Sequence, residues 1–214
     1  MSSRFWPLFD LEVRTPRVIL RYPSDADIEE LAALAARGIH EPDVMPFGIP
    51  WTDVASPQQE RNSLQHHWLQ RAKWATDDWN LSFATIVDGA IVGSQGALAH
   101  RFPLLRQAET GSWLGRAHQE KGIGTEMRAA ILHFLFDGLG AERATSGAFV
   151  DNPSSRAVSQ KLGYREDGTE VIERRTGEAA VKRRFVLTRD EWASRRRTDI
   201  EIIGLEPCRP WFGL

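Results

Sequence analysis

Two glycines, one residue apart, stand where an apolar strand pattern gives way to a helical one, and they give the sequence its clearest chemical signal. They are Gly122 and Gly124, within the segment from Gln119 to Thr125. The first amides of a helix have no internal acceptor, and the helix dipole makes this end positive. Glycines there let a phosphate approach the backbone closely. The pattern therefore predicts an anion site, although a tight strand-to-helix turn produces the same two glycines.

Two familiar phosphate loops do not fit this segment. A Walker loop has its lysine after the glycines, followed by serine or threonine, whereas Lys121 precedes them here. A dinucleotide-binding loop needs a third glycine or alanine, and Met127 occupies that position. A nucleotide-binding regulatory domain is therefore the weakest interpretation that the loop permits.

The order Gln-x-x-Gly-x-Gly resembles the pyrophosphate loop of the GNAT acyltransferase superfamily, whose members bind acyl-coenzyme A. Glu109 to Leu114 looks like the splayed strand that precedes this loop in the family, and Asn152 to Tyr164 looks like its Asn-x-x-Ser helix. The opening Thr15 to Arg21 is similar to the ribosomal-protein N-acetyltransferase-like (RimJ/RimL) branch. The sequence also resembles a mycobacterial GNAT protein described as a succinyltransferase. The family resemblance covers about residues 11–187.

The resemblance implies the GNAT fold, an α/β (α+β) architecture. Its central sheet is mixed and mostly antiparallel, with a splayed parallel pair of strands and helices on both faces. The residue pattern agrees, because Asp88-Gly89 between two apolar runs predicts a hairpin. A strand is expected over 107–114, and helices are expected over 125–139 and 153–162.

A single domain is expected over residues 1–214, because no linker or repeat interrupts the chain. Residues 192–214 are interpreted as a C-terminal extension, and the alternation from Ile200 to Ile203 suggests a further strand. The terminal pair Trp211-Phe212 is expected to pack on the body or on a second subunit, because large apolar side chains are rarely left in water. The second possibility favours a homodimer.

The resemblance implies an enzyme, an N-acyltransferase that moves an acyl group from coenzyme A to a primary amine by direct attack. Acetyl is the expected acyl group, and succinyl is the alternative, since a buried succinyl carboxylate would need a cationic partner. A module that binds acyl-CoA without catalysis would carry the same loop and is the competing class. The residues implied for coenzyme binding are Ser112, Trp113, Leu114, Gln119, Lys121, Gly122, Ile123, Gly124, Thr125, Asn152 and Ser155.

Attack on a thioester requires a neutral amine, and the pKa of a lysine amine is about 10.4 against about 7.7–8.0 for an α-amine. A general base therefore helps, and Glu109 on the strand before the loop is the candidate, with His40 and His118 as rivals. The backbone N–H of Leu114 is the candidate donor to the tetrahedral oxyanion.

The leaving coenzyme thiolate needs a proton donor. In the GNAT family this is commonly a tyrosine seven residues after the helix asparagine, here Asn152, and that position is Ser159. The RimJ/RimL-like pattern offers Ser155 instead, in the first turn of the helix. We therefore hypothesise that Ser155 protonates the sulfur, with Tyr164 as a rival.

The acceptor amine is expected under the first two helices and the Pro-rich loop from residue 40 to residue 52. Large aromatic side chains are concentrated there, although tryptophans at such positions can equally fill a core. The candidate acceptor-binding residues are His40, Phe47, Trp51, Asp53 and Trp79.

Composition excludes several other classes. The net charge of −2 and a pI near 6.3 give no reason to expect nucleic acid or an anionic membrane as a partner. One cysteine cannot form an internal disulfide or a thiolate zinc site, so no metal is expected and the chain fits a reducing cytoplasm. No apolar stretch approaches the roughly 18 residues that a membrane span needs.

Overall fold

Over residues 3–214, which the computed structural model describes, the chain forms one sheet of nine strands. The strands are β1 Glu12–Arg14, β2 Ile19–Arg21, β3 Asp78–Val87, β4 Ala90–His100, β5 Gln107–Leu114, β6 Arg143–Phe149, β7 Arg165–Arg175, β8 Glu178–Thr188 and β9 Glu201–Ile203. Their order across the sheet is β7-β8-β6-β5-β4-β3-β2-β1-β9. Among these described strands, β5 and β6 form the one parallel pair.

Six α-helices accompany the sheet in the described part of the chain. They are α1 Asp25–Ala36, α2 Gln58–Ala72, α3 Phe102–Leu105, α4 Ile123–His133, α5 Pro153–Lys161 and α6 Arg189–Ala193. Helix α4 continues as a π-helix over Phe134–Gly138. The mixed, mostly antiparallel sheet with one parallel pair confirms the predicted fold class.

Helices cover both faces of the sheet because successive strand residues point to opposite sides. Phe83 of β3 packs against Phe134 at the end of α4, with ring centroids 5.8 Å apart. The neighbouring Ser82 points to the other face, where α1 and α2 lie. Most of the apolar core fills the space between the sheet and α4.

Local signals in the sequence predicted several elements well. The β3–β4 hairpin turns at Asp88 and Gly89, both with positive φ, as a two-residue hairpin turn requires. Strand β5 spans the predicted 107–114. The start of α4 differs from the prediction: the helix begins at Ile123, two residues before the predicted start.

The residues after α6 pack on the body of the protein. Strand β9 pairs with β1, and the ring of Trp211 lies 4.6 Å from the ring of Trp6. Phe212 is fully buried, with its ring 5.2 Å from that of Trp79. Cys208 is also buried, and burial raises the pKa of its thiol to about 11. Such a thiol is neutral at physiological pH and therefore a poor nucleophile.

Within residues 3–214, no helix is long and apolar enough to cross a bilayer. The same residues contain no cluster of three or more His, Cys, Asp or Glu side chains that could hold a metal ion.

Candidate active site

Strands β5 and β6 separate after a short parallel ladder. Their pairing ends where Glu109 faces Thr145, and the space beyond these two residues is called the β5–β6 gap below. The other edge of β5 stays paired with β4 as far as Leu114, and the N–H of Gly115 donates to the carbonyl of Val92. Since N–H groups alternate between the two edges of a strand, the amides of Ser112 and Leu114 point away from β4. The predicted oxyanion donor therefore faces the gap.

The N-terminus of α4 follows directly after β5 and lies at one end of the gap. Gly122 precedes the helix with a φ of +80°, a conformation that favours glycine. A Cβ atom at Gly124 would meet only ordinary contacts, 3.8 Å from Leu114 and from Val158 of α5. Ile123 is buried below this turn. The backbone here can accept a phosphate without a side chain in the way.

Two polar side chains of the loop bond to the protein itself. The side-chain amide of Gln119 donates to the carbonyl oxygens of Leu114 at 2.8 Å and of Ile39 at 2.6 Å. The ammonium of Lys121 donates to the carbonyl of Ala117 at 2.7 Å. Gln119 therefore fixes the shape of the loop between β5 and α4, and the main-chain amides from Gly122 onward carry the anion-binding potential, with Thr125 half-buried in the first turn of α4.

Helix α5 follows β6, so its N-terminus lies at the same end of the parallel pair. The side chain of Asn152 accepts a hydrogen bond from the backbone N–H of Ser155 at 3.0 Å and caps the helix. The hydroxyl of Ser155 has no hydrogen-bond partner among the described residues and is half-buried. The rival Tyr164 is buried, and its hydroxyl lies 3.0 Å from Oγ1 of Thr110. Burial raises the pKa of Tyr164, despite the nearby Arg128 guanidinium.

A cavity of about 560 Å³ opens on the α2 face of β5. We call it the α2 cavity; it is lined by Phe47, Ile49, Trp51, Asn62, Ser63, His66, His67, Asn80, Ser82, Ser94, Gly96, Ala97, Leu98, Glu109, Thr110, Gly111, Ser112 and Trp113. Its aromatic wall is continuous, because the ring of Trp51 lies 5.2 Å from that of Phe47 and 6.0 Å from that of Trp113. The predicted base Glu109 is in this lining, with half of its side chain exposed.

The structure does not bring every predicted acceptor residue to this cavity. Trp79 is 1% exposed and packs against Phe102 and Phe212 in the core. Its neighbour Asn80 points into the cavity, so strand alternation turns Trp79 to the other face. The position of Trp79 in the core therefore does not support the prediction that this residue binds the acceptor.

Asp53 and His40 hold the loop rather than line the cavity. Asp53 accepts two hydrogen bonds, at 2.7 and 3.0 Å, from Arg175 at the tip of the β7–β8 hairpin. This guanidinium holds the pKa of Asp53 below its usual value. Nε2 of His40 lies 2.7 Å from the hydroxyl of Thr52, and its ring lies 5.8 Å from that of Phe47. The rival base His118 is not among the residues that line the cavity.

Sequence reasoning missed the polar residues of α2, including His66 and His67. Burial, together with the nearby charges of His66 and Arg71, lowers the pKa of His67 to about 4. Burial also lowers the pKa of His66. Both rings are therefore neutral at physiological pH. The polar surface of α2 gives no periodic signal in the sequence that separates cavity-facing residues from solvent-facing ones.

Sequence reasoning also missed Arg128 of α4, which is 4% exposed. Its guanidinium donates to the hydroxyls of Thr110 and Ser112 on β5 at 3.2 and 3.0 Å, and to that of Ser146 on β6 at 3.0 Å. These contacts bridge the two strands where their pairing has ended. No acidic side chain in residues 3–214 forms an ion pair with Arg128, and neutral hydroxyl and amide oxygens accept its hydrogen bonds.

Comparisons with known proteins agree with this geometry. The family model "Acetyltransferase (GNAT) domain" matches residues 17–165. The protein YdaF of Bacillus subtilis (strain 168), whose name proposes a ribosomal N-acetyltransferase, is 29% identical over 99 residues, which cover 42% of this chain and 54% of YdaF. The ribosomal-protein-serine acetyltransferase of Escherichia coli (strain K12) is 33% identical over 66 residues, covering 31% and 37% of the two chains. This chain therefore matches about half or less of the length of these relatives.

A solved structure of RimL, a ribosomal L7/L12 alpha-N-protein acetyltransferase in complex with coenzyme A, has a similar fold. The TM-score is 0.62 at 16% identity, and the match covers 81% of this chain and 95% of RimL. At this identity the likeness concerns the fold alone.

Proposed function

Because the chain belongs to the acetyltransferase (GNAT) domain family, we propose that it transfers an acyl group from acyl-coenzyme A to a primary amine. The observation that carries the proposal is the position of β5 between two open spaces. One edge of the strand faces the β5–β6 gap beyond Glu109. The same strand lines the α2 cavity with Glu109 and Trp113. A thioester in the gap and an amine in the cavity would meet across this strand.

The coenzyme occupies the β5–β6 gap in this proposal. Its pyrophosphate lies on the amides around Gly122 and Gly124, where the α4 dipole favours negative charge. Its pantetheine arm runs along the free edge of β5, bonding the amides of Ser112 and Leu114, with Asn152 across the gap. The acetyl-CoA or other acyl-CoA thioester then reaches the middle of the sheet.

The transfer proceeds by direct attack. The amine nitrogen donates its lone pair to the thioester carbonyl carbon, and the negative charge that develops on oxygen is stabilised by the N–H of Leu114. Collapse of this intermediate breaks the carbon–sulfur bond. The amine loses one proton, to Glu109 directly or through water, and the sulfur gains one from the hydroxyl of Ser155, which is reprotonated by water as Glu109 releases its proton to solvent. The products are an amide and free coenzyme A.

An α-amine is the acceptor that the α2 cavity fits best. A lysine amine, with a pKa of about 10.4, is almost wholly protonated at physiological pH, and His66 and His67 of the α2 cavity are weaker bases than a free imidazole. An α-amine, with a pKa of about 7.7–8.0, is partly neutral at physiological pH without help. The Escherichia coli relative is named for a ribosomal protein and RimL is named an alpha-N-protein acetyltransferase, and the second name agrees with a protein N-terminus as the acceptor.

Acetyl is the proposed acyl group, and one observation favours succinyl as the second candidate. Arg128 is buried beside the gap, and its charge lacks an acidic partner among the described residues. A succinyl chain ends in a carboxylate, which is the partner that a buried guanidinium accepts most readily. Acetyl-CoA and succinyl-CoA should therefore be compared as donors in wild type and in Arg128→Met. A donor preference that Arg128→Met leaves unchanged would remove the argument for succinyl.

The test of the proposed function is release of the coenzyme A thiol in the presence of amines. Peptides with a free N-terminus should release thiol, and the same peptides with an acetylated N-terminus and an internal lysine are the matched control. Release from the controls at the same rate would mean that the acceptor is a side-chain amine. Binding of acyl-CoA without release in any mixture would instead favour the competing class, a module that binds acyl-CoA without catalysis.

We also propose a cytoplasmic location and a homodimer. The chain has one cysteine and no unusual net charge, which agrees with a reducing compartment. The tail gives the dimer no support, because Trp211 and Phe212 pack on their own chain. Light scattering after size-exclusion chromatography measures the mass in solution, and a monomer mass at all concentrations would refute the dimer.

A further inference from the structure

A buried carboxylate lies in the same first turn of α4 as the proposed pyrophosphate site. Glu126 occupies the first turn of α4 and is 6% exposed. Its Oε1 accepts hydrogen bonds from the hydroxyl of Thr15 at 2.7 Å and from the backbone N–H of Arg17 at 3.3 Å. Its Oε2 accepts one from Nε of Arg17 at 2.7 Å. The segment between β1 and β2 is therefore hydrogen-bonded to the first turn of α4, which lies more than 100 residues further along the chain.

This carboxylate creates an electrostatic conflict. A negative side chain in the first turn of α4 is stabilised by the same positive end of the helix dipole that would stabilise a bound phosphate. Burial pushes the pKa of Glu126 upward, but the hydrogen bonds from Thr15 and Arg17 outweigh it and hold the pKa below its usual value. Glu126 is therefore charged at neutral pH, and it would repel a phosphate one helical turn away unless a cation neutralised it.

Arg17 contacts the loop as well as the carboxylate. Its Nη1 donates to the carbonyl of Lys121 at 3.4 Å, and a Cβ atom built on Gly122 would lie 3.4 Å from its Nη2. About half of the Arg17 side chain remains exposed. One guanidinium thus balances the charge of Glu126 and lies against the two residues that lead into α4.

We propose that Arg17 is a positioning residue for the coenzyme loop, which cancels the charge of Glu126 and fixes the backbone at Lys121 and Gly122 so that the start of α4 accepts the pyrophosphate. The inference rests on the proposed coenzyme site and adds a residue outside the glycine motif. It predicts that Arg17→Ala weakens coenzyme binding mainly because the negative charge of Glu126 is then left unbalanced.

A double-mutant cycle tests directly whether the unbalanced carboxylate of Glu126 causes the loss of coenzyme binding. Coenzyme A is titrated into wild type, Arg17→Ala, Glu126→Gln and the double variant, and the dissociation constant is measured by calorimetry. Arg17→Ala should weaken binding by roughly tenfold or more, the size expected when an unbalanced charge lies about one helical turn from a bound anion. The double variant, which lacks the carboxylate charge, should bind several-fold more tightly than Arg17→Ala alone. Arg14→Ala is the matched control, since Arg14 is exposed on β1 and pairs with Glu12.

Three outcomes would overturn the inference. They are an affinity of Arg17→Ala for coenzyme A equal to that of wild type, an affinity of the double variant no higher than that of Arg17→Ala, and an affinity of Arg17→Lys, which keeps the charge, no higher than that of Arg17→Ala. If Arg17→Ala does not fold, Arg17→Lys and Arg17→Lys/Glu126→Gln replace the two variants that lack Arg17; the double variant should bind coenzyme A more tightly than Arg17→Lys, and weaker binding would overturn the inference. Failure of wild type to bind coenzyme A would instead refute the proposed function.

Discussion

The ammonium nitrogen of Lys182 on β8 lies 3.7 Å from Oε1 of Glu109 on β5. The same nitrogen lies 3.2 Å from Oε1 of Glu170 on β7. The lysine stem crosses Gly147 of β6, where a Cβ atom would come within 2.2 Å of Cε of Lys182. A glycine on β6 thus lets a cation reach the carboxylate at the edge of the α2 cavity. The role of Glu109 must therefore be separated from the charge of Lys182.

Glu109→Gln tests the proposed base. The amide keeps the shape of the side chain but cannot accept the amine proton, so turnover should fall by about 10²-fold, the lower range for a general base. The loss should be largest below the pKa of the acceptor amine, where deprotonation limits the rate. Turnover is measured as thiol release across the pH range.

Lys182→Met is the matched control for charge. It removes the cation but leaves the Glu109 carboxylate, so turnover should change by much less than in Glu109→Gln. Equal losses in the two variants would mean that the ion pair matters as a structural contact and that Glu109 is not the base.

Ser155→Ala tests the proton donor for the coenzyme sulfur. The Ser155 hydroxyl has no protein partner in the described chain, so its removal should leave α5 intact. We expect turnover to fall by about 10²-fold with the affinity for acyl-CoA nearly unchanged. The exposed neighbour Ser154 provides the control variant Ser154→Ala. A loss below threefold in Ser155→Ala would leave Tyr164 or water as the donor.

Substitution of Gly124 tests the phosphate site. A Cβ atom there has ordinary contacts with Leu114 and Val158, so Gly124→Ala should fold normally. Gly124→Val adds bulk where the phosphate must approach. The dissociation constant of coenzyme A should rise modestly for alanine and strongly for valine, with similar melting temperatures. Unchanged affinity in Gly124→Val would place the pyrophosphate elsewhere.

Local patterns in the sequence predicted the elements that depend on short-range chemistry. The Asp88-Gly89 turn, the strand that ends at Leu114 and the glycine turn before α4 each follow from neighbouring residues. These same elements place the segment from Gln119 to Thr125 beside the β5–β6 gap, and for that reason the segment could be proposed as the coenzyme loop from the sequence.

Long-range contacts could not be predicted in the same way. Asp53 and Arg175 are 122 residues apart, and nothing local marks them as partners. Trp51 and Trp79 have the same side chain, yet Trp51 reaches the cavity from the loop before α2, whereas strand alternation turns Trp79 into the core. Arg128 interrupts the apolar face of α4, a local signal that marks it as unusual but does not reveal its partners on β5 and β6.

His67 should make the stability of the fold depend on pH. Its pKa is about 4 in the folded chain, because of burial first and then of the charges of His66 and Arg71, against about 6.5 when unfolded. Between these values the unfolded chain binds more protons, so the free energy of unfolding should decrease as pH falls from about 6.5 to about 4 and level off below. His67→Gln should reduce this slope in urea unfolding at pH 7 and pH 5.

The buried tail residue Phe212 should contribute strongly to stability. Its ring packs 5.2 Å from that of Trp79 and 5.7 Å from that of Phe134. Phe212→Ala removes these contacts and leaves a cavity, which should lower the free energy of unfolding by about 3–5 kcal/mol. A change below about 1 kcal/mol would mean that the tail detaches readily from the body.

The central claim is that the coenzyme and the amine reach β5 from opposite sides, one through the β5–β6 gap and the other through the α2 cavity. A crystal structure with a bisubstrate analogue, coenzyme A linked through its sulfur to the N-terminus of a peptide, measures this most directly. The account predicts the pyrophosphate at Gly122 and Gly124, the linker beside the amides of Ser112 and Leu114, and the peptide against Trp51 and α2. A peptide portion outside the α2 cavity, or a linker that does not pass between β5 and β6, would contradict it.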